Sequence, residues 1–413
     1  MGWWLRVSEF PPMRVLVLHN YYQQPGGEDQ IFAAETRLLE AHGNEVIRFT
    51  MHNDVIRELG PLHAAKNLLW NRDVYAELRG LIRKTRPQVM HSHNTFPLIS
   101  PAAYGAARDE GIPVVQTLQN FRLVCANAFL FREAKICEDC IGRRVMWPAV
   151  WHRCYRGSAA ASAAVIAMLH YHRVRRTWSE LVHLYLAPTE FVRGKLIEGG
   201  LPPEKVRVKP NFVDWNCVPP TNRGKYMLFV GRLSPEKGVR TLLAAWSSRS
   251  DLPPLRILGD GPLRGEVQRT VAQSSRVQWL GHRSGEEVQA QMQDASALLF
   301  PSEWYEAQPL VVIEAYAAGL AVIASAIGAA ASLIEPGRTG LLHAPGEWAD
   351  LADKVLWARE HPNEMRAMGA TGRARFEERY TPAINYRLLR DAYACAAATR
   401  RDLGSRTQSR STV

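Results

Sequence analysis

Strand-like and helix-like segments alternate along most of this chain of 413 residues. In the second half, the apolar strand 225–230 leads into the turn GRLSPEKG at 231–238, and a helix follows. In the first half, the strand 14–20 leads through a glycine-containing loop into an amphipathic helix at 28–41. Such alternation is typical of parallel sheets whose strands are joined by helical crossovers. The sequence therefore predicts an α/β protein with two doubly wound parallel-sheet domains.

The domain boundaries follow from composition. Hydrophobic residues make up 46% of the chain, which is enough for two cores of roughly 200 residues each. The first twelve residues lack the apolar core of a signal peptide, so they are either an arm or an upstream extension of a start at Met13. We expect an arm at 1–12, an amino-terminal domain at 13–215 with a cysteine-rich insert at 122–157, a carboxy-terminal domain at 216–374, a terminal helix at 375–398 and a disordered tail at 399–413.

The stretch FPSEWYEAQPLVVIEAYAAG at 300–319 offers two carboxylates close to a strand end. The strand ends at Phe300, a loop holds Glu306, and a helix beginning near Pro309 holds Glu314. Both carboxylates could face the crevice beyond the carboxyl ends of the strands, where open α/β sheets bind ligands. Carboxylates accept hydrogen bonds strongly, which suits a ligand rich in hydroxyl groups. A helix with one exposed glutamate would show the same spacing, so spacing alone leaves both interpretations open.

Two turns of the chain predict contact with an anion. Arg232 and Lys237 lie in the turn after the first strand of the second half, where two cations near a helix start favour phosphate. Each charge-assisted hydrogen bond contributes about 1.5–3 kcal/mol. Gly26 and Gly27 open the first helix in a similar way, but without a full G-x-G-x-x-G motif. A tight turn alone also explains a glycine pair.

Polar residues end two further strands of the first half. His91 and His93 share one face of the strand QVMHSHN, and Gln119 lies at the end of VVQTLQN. These three side chains are candidates for the acceptor side of a site at the sheet edge. A buried, hydrogen-bonded histidine is more often structural than catalytic, and that interpretation stays open for both.

Four cysteines in the insert have the spacing C-x11-C-x2-C-x13-C, which places Cys125, Cys137, Cys140 and Cys154 within 30 residues. A C-x2-C turn with two outlying cysteines can close a tetrahedral zinc site. Free thiols and a disulfide or redox pair are the alternatives, although the absence of an export signal disfavours disulfides. We expect a structural zinc ion there, and no cofactor for catalysis.

The net charge of +11 suits an anionic partner such as a nucleotide or a lipid headgroup. Arginine and tryptophan are concentrated in the insert, which suits peripheral contact with an anionic membrane. A solvated basic surface is the more common explanation for any single cluster of this kind. The basic residues are not interleaved with the signature of a nucleic-acid-binding module, so we expect no nucleic-acid partner. We expect a cytoplasmic protein, at or near the inner face of the membrane.

The segments FVGRLSPEKG, LGDGPL, WLGH, SEWYEAQPLVVIEAYAAG and EPGRTGLL together resemble the retaining glycosyltransferases of family 4, which have the GT-B fold. The match keeps its order and spacing over residues 13–121 and about 185–390. The HNYYQQPGGE loop and the CxxC insert ending in RCYRGS resemble a subgroup that assembles bacterial polysaccharides.

This resemblance implies two Rossmann-like domains with the active site in the cleft between them. The second domain would hold a nucleoside-diphosphate sugar, with Arg232 and Lys237 on the diphosphate, Glu314 on the ribose and Glu306 on the sugar. The first domain would hold a saccharide acceptor, lipid-linked or free, and the helix 375–398 would cross back onto it. The other residues expected on the donor side are Gly26, Gly27, Gly231, Gly259, Gly261, Gly281, Gln308, Pro309 and Leu310.

The activity implied is that of a retaining hexosyltransferase (EC 2.4) in cell-surface polysaccharide biosynthesis. The chain contains no D-x-D motif, so we expect no catalytic metal. No residue is an obvious carboxylate nucleophile, which agrees with same-face attack assisted by the leaving phosphate, as the family is thought to use.

Two positions depart from the family pattern. The usual Gly-Phe-Gly after the first glutamate is Ala307-Gln308-Pro309 here, and proline has no backbone N–H to offer the sugar. Gln119 stands where the family has a histidine, and an amide carries no proton or positive charge. A nucleotide-sugar epimerase on the same fold and a nucleotide-binding partner subunit without turnover are therefore alternative functions.

Overall fold

Two six-stranded parallel sheets organise the computed structural model, which describes residues 11–408 apart from 24–25, 58, 216–218 and 221–223. The strands of the first half are β1 (Arg14–Tyr21), β2 (Glu45–His52), β3 (Val89–Asn94), β4 (Val114–Thr117), β5 (Phe131–Arg132), β6 (Lys135–Ile136), β7 (Leu184–Ala187) and β8 (Val206–Val208). The strands of the second half are β9 (Met227–Val230), β10 (Leu255–Leu258), β11 (Val277–Gly281), β12 (Ala297–Phe300), β13 (Val322–Ser325) and β14 (Gly340–His343).

Helices connect the strands of both sheets. Those of the first half are α1 (Gly27–Ala41), α2 (Pro61–Leu69), α3 (Arg72–Thr85), α4 (Ala102–Asp109), α5 (Pro148–Trp151), α6 (Ala159–Val174) and α7 (Glu190–Glu198). Those of the second half are α8 (Val239–Ser248), α9 (Arg264–Gln273), α10 (Gly285–Asp294), α11 (Leu310–Ala317), α12 (Gly328–Leu333), α13 (Trp348–Glu360), α14 (Pro362–Arg379) and α15 (Pro382–Gln408). Within the described part of the chain, no helix combines the length and the apolar composition that a membrane span requires.

The strand orders explain where a ligand can bind. The first sheet has the order β2-β1-β3-β4-β7-β8, and the second has β11-β10-β9-β12-β13-β14. Every neighbouring pair in both sheets is parallel. The connections change direction between β1 and β3 in the first sheet and between β9 and β12 in the second. Crevices open at such switch points, beyond the carboxyl ends of the strands. The prediction of two doubly wound α/β domains is confirmed.

Burial on both faces explains why the strands read as apolar runs. All four residues of β7, β12 and β13 are buried. Strands covered by helices on both sides have no solvated face and therefore no need for alternating polarity. Each half has its own core, so each sheet is stabilised separately.

The final helix α15 returns to the first half of the molecule. Its side chains Tyr386, Leu389 and Tyr393 are buried in the same cluster as Val15 and Leu184. The tail predicted to be disordered from residue 399 is instead helical to Gln408, while 409–413 lie outside the described residues. A helix that is already formed adds one hydrogen bond for each further residue, so it can extend through a segment of mixed helix propensity. Most of the predicted arm, residues 1–10, also lies outside the described part.

A buried ion pair fastens the end of the first sheet to its first helix. Lys209, just after β8, donates from Nζ to Glu35 of α1 at 2.5 Å and to Asn385 of α15 at 3.3 Å. The side chains of Lys209 and Glu35 are each 1% exposed. A buried charge without its partner destabilises a fold strongly, since desolvation is no longer offset.

We predict that Lys209→Met lowers the free energy of unfolding by about 3–5 kcal/mol, because it leaves the buried Glu35 carboxylate without its cationic partner. Urea denaturation followed by circular dichroism measures the change. The control is Arg240→Met, which breaks an exposed pair with Glu266 at 2.8 Å and should change stability by less than about 1 kcal/mol. Equal effects of the two substitutions would contradict the prediction.

Candidate functional site

A cleft of about 1330 Å³ lies between the carboxyl ends of the two sheets. The first half contributes the loops after β1 and β4, and the second half contributes the loops after β9, β10, β11 and β12. Both switch points therefore open into the same space, which is large enough for two ligands of metabolite size.

The loops after β9 and β12 meet on one wall of the cleft because these strands are neighbours in the sheet. Lys237 comes from the first loop and forms an ion pair with Glu306 from the second. The same carboxylate accepts from Trp304 Nε1 at 3.0 Å and from Ser302 Oγ at 3.3 Å. Arg232 also lines the cleft, and its guanidinium makes no hydrogen bond or ion pair with any residue that the structure describes. Arg232 is therefore free to bind an anion.

Glycines permit the close approach of these loops. Gly238 has a φ of +69°, and a Cβ at this position would lie 1.8 Å from the carbonyl oxygen of Pro301. Gly259 has a φ of +129°, and a Cβ there would lie 1.9 Å from the carbonyl oxygen of Gly231. Any larger residue would push the cation-bearing loop away from its neighbours.

Glu314 lines the cleft from the second turn of α11. Burial raises the pKa of its carboxyl to about 7. The carboxyl is consequently part protonated near neutral pH, and ligand hydroxyls that donate to it would stabilise the ionised form.

An amide chain joins the two halves across the cleft. Gln119 Nε2 donates to Asn211 Oδ1 at 2.7 Å, and Asn211 Nδ2 donates back to Gln119 Oε1 at 3.1 Å. The backbone N–H of Asn211 then donates to Gln308 Oε1 at 2.7 Å. This bond fixes the orientation of the Gln308 amide, whose buried Nε2 has no partner among the described residues. Gln308 thus presents an unused donor in the wall of the cleft.

Sequence reasoning missed the carboxylate on the opposite wall. Glu28, in the first turn of α1, lines the cleft and accepts a hydrogen bond from Asn120 Nδ2. Burial raises its pKa, and the bond from Asn120 opposes that shift. A hydrogen bond from the Tyr22 hydroxyl also lowers this pKa. The place of Glu28 directly after Gly26-Gly27 was the available signal. No signal in the sequence indicated that Phe129, Tyr155 and other residues of the insert would line the cleft.

Most of the predicted site residues share the cleft. They are Gly26, Gly27, Gln119, Gly231, Arg232, Lys237, Gly259, Glu306, Gln308, Pro309, Leu310 and Glu314. Gly261 and Gly281 do not line it. A Cβ at Gly261 would lie 2.6 Å from the carbonyl oxygen of Leu233, which indicates a packing role.

His91 and His93 are buried in β3 and neither lines the cleft, although His93 borders a small cavity that Gln119 also lines. His91 forms hydrogen bonds with Tyr393 at 2.9 Å and Thr117 at 2.8 Å, and burial together with the charge of Lys209 lowers its pKa to about 3. Both imidazoles have ligand atoms within 4.8 Å of Glu35, the one such trio that could hold a metal among the described residues. The ammonium of Lys209 already pairs with that carboxylate and would repel a cation.

The four cysteines of the insert line one small cavity, away from the donor wall. All four are free thiols, and no three of their sulfur atoms lie within 4.8 Å of one another. Burial raises the pKa of Cys140 to about 12, and it also raises the pKa of Cys137 and Cys154. Protonated thiols are poor nucleophiles, so this cluster is not built for thiol catalysis.

Known protein families match both halves of the chain. The model described as Glycosyltransferase Family 4 matches residues 25–216, and the one described as Glycosyl transferases group 1 matches residues 224–361. The chain belongs to the glycosyltransferases. The expected family is confirmed at this level.

Curated relatives match this glycosyltransferase over part of their length. D-rhamnosyltransferase WbpZ of Pseudomonas aeruginosa is 33% identical over 161 residues, which are 38% of this chain and 42% of the relative. D-inositol 3-phosphate glycosyltransferase of Corynebacterium diphtheriae is 33% identical over 147 residues, which are 32% of this chain and 34% of the relative. The matches thus span less than half of these relatives.

Solved structures match nearly the whole glycosyltransferase chain. HepE of Anabaena in complex with UDP has a TM-score of 0.66 and 18% identity, over 92% of this chain and 100% of HepE. The sucrose-phosphate synthase of Thermosynechococcus elongatus also has a TM-score of 0.66 and 18% identity, over 92% of this chain and 99% of that one. At this identity the likeness shows the GT-B fold.

We predict that Glu314→Gln stabilises the ligand-free glycosyltransferase at pH 8. The folded carboxyl has a raised pKa of about 7, so ionisation destabilises the fold as pH rises from the ordinary value of 4.5 towards 7. This difference in pKa means that Glu314→Gln should raise the free energy of unfolding by on the order of 3 kcal/mol above pH 7. Below about pH 4.5 the substitution should have no such effect. Urea denaturation at the two pH values measures it.

The control for this prediction is Glu364→Gln, an exposed residue in the first turn of α14. Its substitution should change stability by less than about 0.5 kcal/mol at either pH. A Glu314→Gln protein that is no more stable than wild type at pH 8 would show that Glu314 ionises without a burial penalty.

Proposed function

We propose that this protein transfers a hexose, with retention of configuration, from a nucleoside-diphosphate sugar to a saccharide acceptor. The observation that supports this most is the shared cleft of Arg232, Lys237, Glu306 and Glu314 at the switch point of the second sheet. Two cations suit a diphosphate and two carboxylates suit the hydroxyls of ribose and sugar. Structures of the HepE fold neighbour with UDP and with UDP-glucose make uridine the first nucleotide to test.

The donor in this proposal lies along the wall of the carboxy-terminal domain. Arg232 and Lys237 bind the diphosphate, and Glu306 holds Lys237 in place while its remaining lone pairs accept from the sugar. Glu314 accepts from the ribose hydroxyls. Gln308 donates to the sugar from Nε2. This side-chain donor replaces a backbone N–H at position 309, which is absent because residue 309 is proline.

The reaction breaks the bond between the anomeric carbon and the diphosphate oxygen and forms one to an acceptor hydroxyl oxygen. The cations stabilise the charge that develops on the leaving diphosphate, and they are already positioned before the reaction. The acceptor hydroxyl proton passes to the leaving phosphate on the same face of the sugar. Glu28, on the wall of the amino-terminal domain, accepts from the acceptor and orients it.

The acceptor in this proposal is lipid-linked and belongs to cell-surface polysaccharide assembly at the cytoplasmic face of a membrane. Trp147 and Trp151 of the insert are 56% and 77% exposed. Arg143 lies 5.7 Å from the ring of Trp147, and Arg144 and Arg153 are exposed nearby in the chain. Exposed tryptophans among arginines suit the boundary between anionic headgroups and acyl chains. The same insert lines the cleft, so a docked membrane would lie near the acceptor side.

We predict that Lys237→Met lowers the rate of UDP-glucose turnover by about 100-fold or more, as expected for the loss of one preorganised donor to a developing charge. Release of UDP by the purified protein measures the rate, with acceptor or with water. The control is Lys354→Met, which removes an exposed lysine on α13 that lies 3.6 Å from Asp350 and outside the cleft. Equal turnover of the two variants and wild type would remove the role given to Lys237.

We predict that Trp151→Ala reduces binding to vesicles of anionic phospholipid by about tenfold, because the loss of a membrane-inserted indole weakens interfacial binding. Cosedimentation with anionic and with neutral vesicles measures this. Trp348→Ala, at an exposed tryptophan of the other domain, is the matched control and should bind as wild type does. Equal binding of the wild-type protein to anionic and neutral vesicles would exclude this surface as the docking face. An equal loss of vesicle binding in both variants would exclude it as well.

A further inference from the structure

The insert brings four distant cysteines to one point. Cys125, Cys137, Cys140 and Cys154 all line a cavity of about 10 Å³, which is close to the size of a single water molecule. Phe131, Pro148 and Ala149 close much of the remaining wall with apolar atoms. The space is too small for an organic ligand and has the scale of one ion.

The insert has little regular structure to stabilise it. Its two strands, β5 and β6, have two residues each, and α5 has four. Six residues other than glycine have positive φ values within it: Ala128, Leu130, Glu133, Ala134, Arg153 and Arg156. Each such residue costs about 1–2 kcal/mol. Buried residues such as Leu130 and Met146 anchor the insert in the core of the first half, and a cross-link between its cysteines would further offset this strain.

We propose that the four thiols bind one structural Zn²⁺ ion, with tetrahedral sulfur coordination. Cys137 and Cys140 form the C-x2-C turn, and Cys125 and Cys154 complete the set from either side. Four sulfur ligands select zinc over the oxygen-seeking magnesium and calcium ions. The sulfurs stand farther apart than zinc requires, but a change of χ1 rotamer moves a cysteine sulfur by several ångströms without moving the backbone.

One charged side chain near the cluster could act as an outer partner of a loaded site. Zinc with four thiolates carries two negative charges. Arg132 contacts the Cys154 sulfur, and Asp139, which pairs with that guanidinium at 3.2 Å and also lines the cavity, offsets part of its positive charge. Such outer partners neutralise and orient metal ligands.

A zinc ion here would order the acceptor wall of the cleft. Cys154 is followed directly by Tyr155 and Arg156, and all three line the cleft. At the other end, the ring of Phe129 lies 5.2 Å from that of Trp304, which donates to Glu306. Glu138, inside the C-x2-C turn, pairs with Lys195 of α7 at 2.9 Å. The ion would therefore fix a loop that contacts both domains, whatever reaction the cleft performs.

The test is the metal content of the full-length protein, purified without chelators from cells supplied with zinc. We expect about one zinc per chain. Cys137→Ser and Cys140→Ser should each lose most of it, whereas Cys395→Ser, which removes a thiol of α15 outside the cluster, should keep it. The zinc content does not depend on glycosyl transfer, so this test is independent of the proposed function.

Limited trypsinolysis of the wild-type protein gives a second readout in case the variants fail to fold. Removal of the ion with a strong chelator should expose the insert to cleavage at Arg143 and Arg144, and added zinc should restore protection. Less than about 0.1 zinc per chain together with four freely titrating thiols would overturn the proposal. A disulfide among these cysteines in the freshly purified protein would overturn it equally.

Discussion

The ion pair between Lys237 and Glu306 joins the two loops that border the switch point of the second sheet. It forms because β9 and β12 are neighbours in space although about 70 residues separate them in sequence. Gly238 lets the lysine loop reach the carbonyl of Pro301, so the two loops are held at a fixed distance. Arg232 lines the same cleft, and its side chain has no ion-pair partner among the described residues. One cation of this wall is therefore already paired with a carboxylate, and the other is available to an anionic ligand.

Much of this wall could be predicted from the sequence, because its parts are local. The turn GRLSPEKG sets Arg232 and Lys237 beside a helix start, and the alternation of strands and helices puts every strand end on one edge. The spacing of Glu306 and Glu314 was ambiguous on its own. The structure favours a binding role for this spacing, because both carboxylates line one cleft.

The parts that could not be predicted depend on contacts between distant segments. His91 was a candidate for the acceptor side, yet it is paired with Tyr393, which lies 302 residues away on the returning helix α15. The Lys209–Glu35 pair spans 174 residues, and no local pattern indicates it. Glu28 was overlooked because a glutamate in the first turn of a helix is ordinary. In each case the partner is chosen by how the domains pack, which periodicity does not encode.

Gln119 and Pro309 look like separate losses when the sequence is compared with the family pattern, but in the structure they belong to one chain of amides. Gln119 and Asn211 exchange two hydrogen bonds, which uses both ends of the Gln119 amide and leaves it no role in proton transfer. A histidine at position 119 could not make the same reciprocal pair with Asn211, because its two ring nitrogens point in different directions. Asn211 in turn holds Gln308 with its Nε2 unpaired. The side chain of Gln308 thus provides a fixed donor next to Pro309, which lacks a backbone N–H. Gln119 holds Asn211, and Asn211 holds Gln308, so the departure at position 119 compensates for the one at position 309.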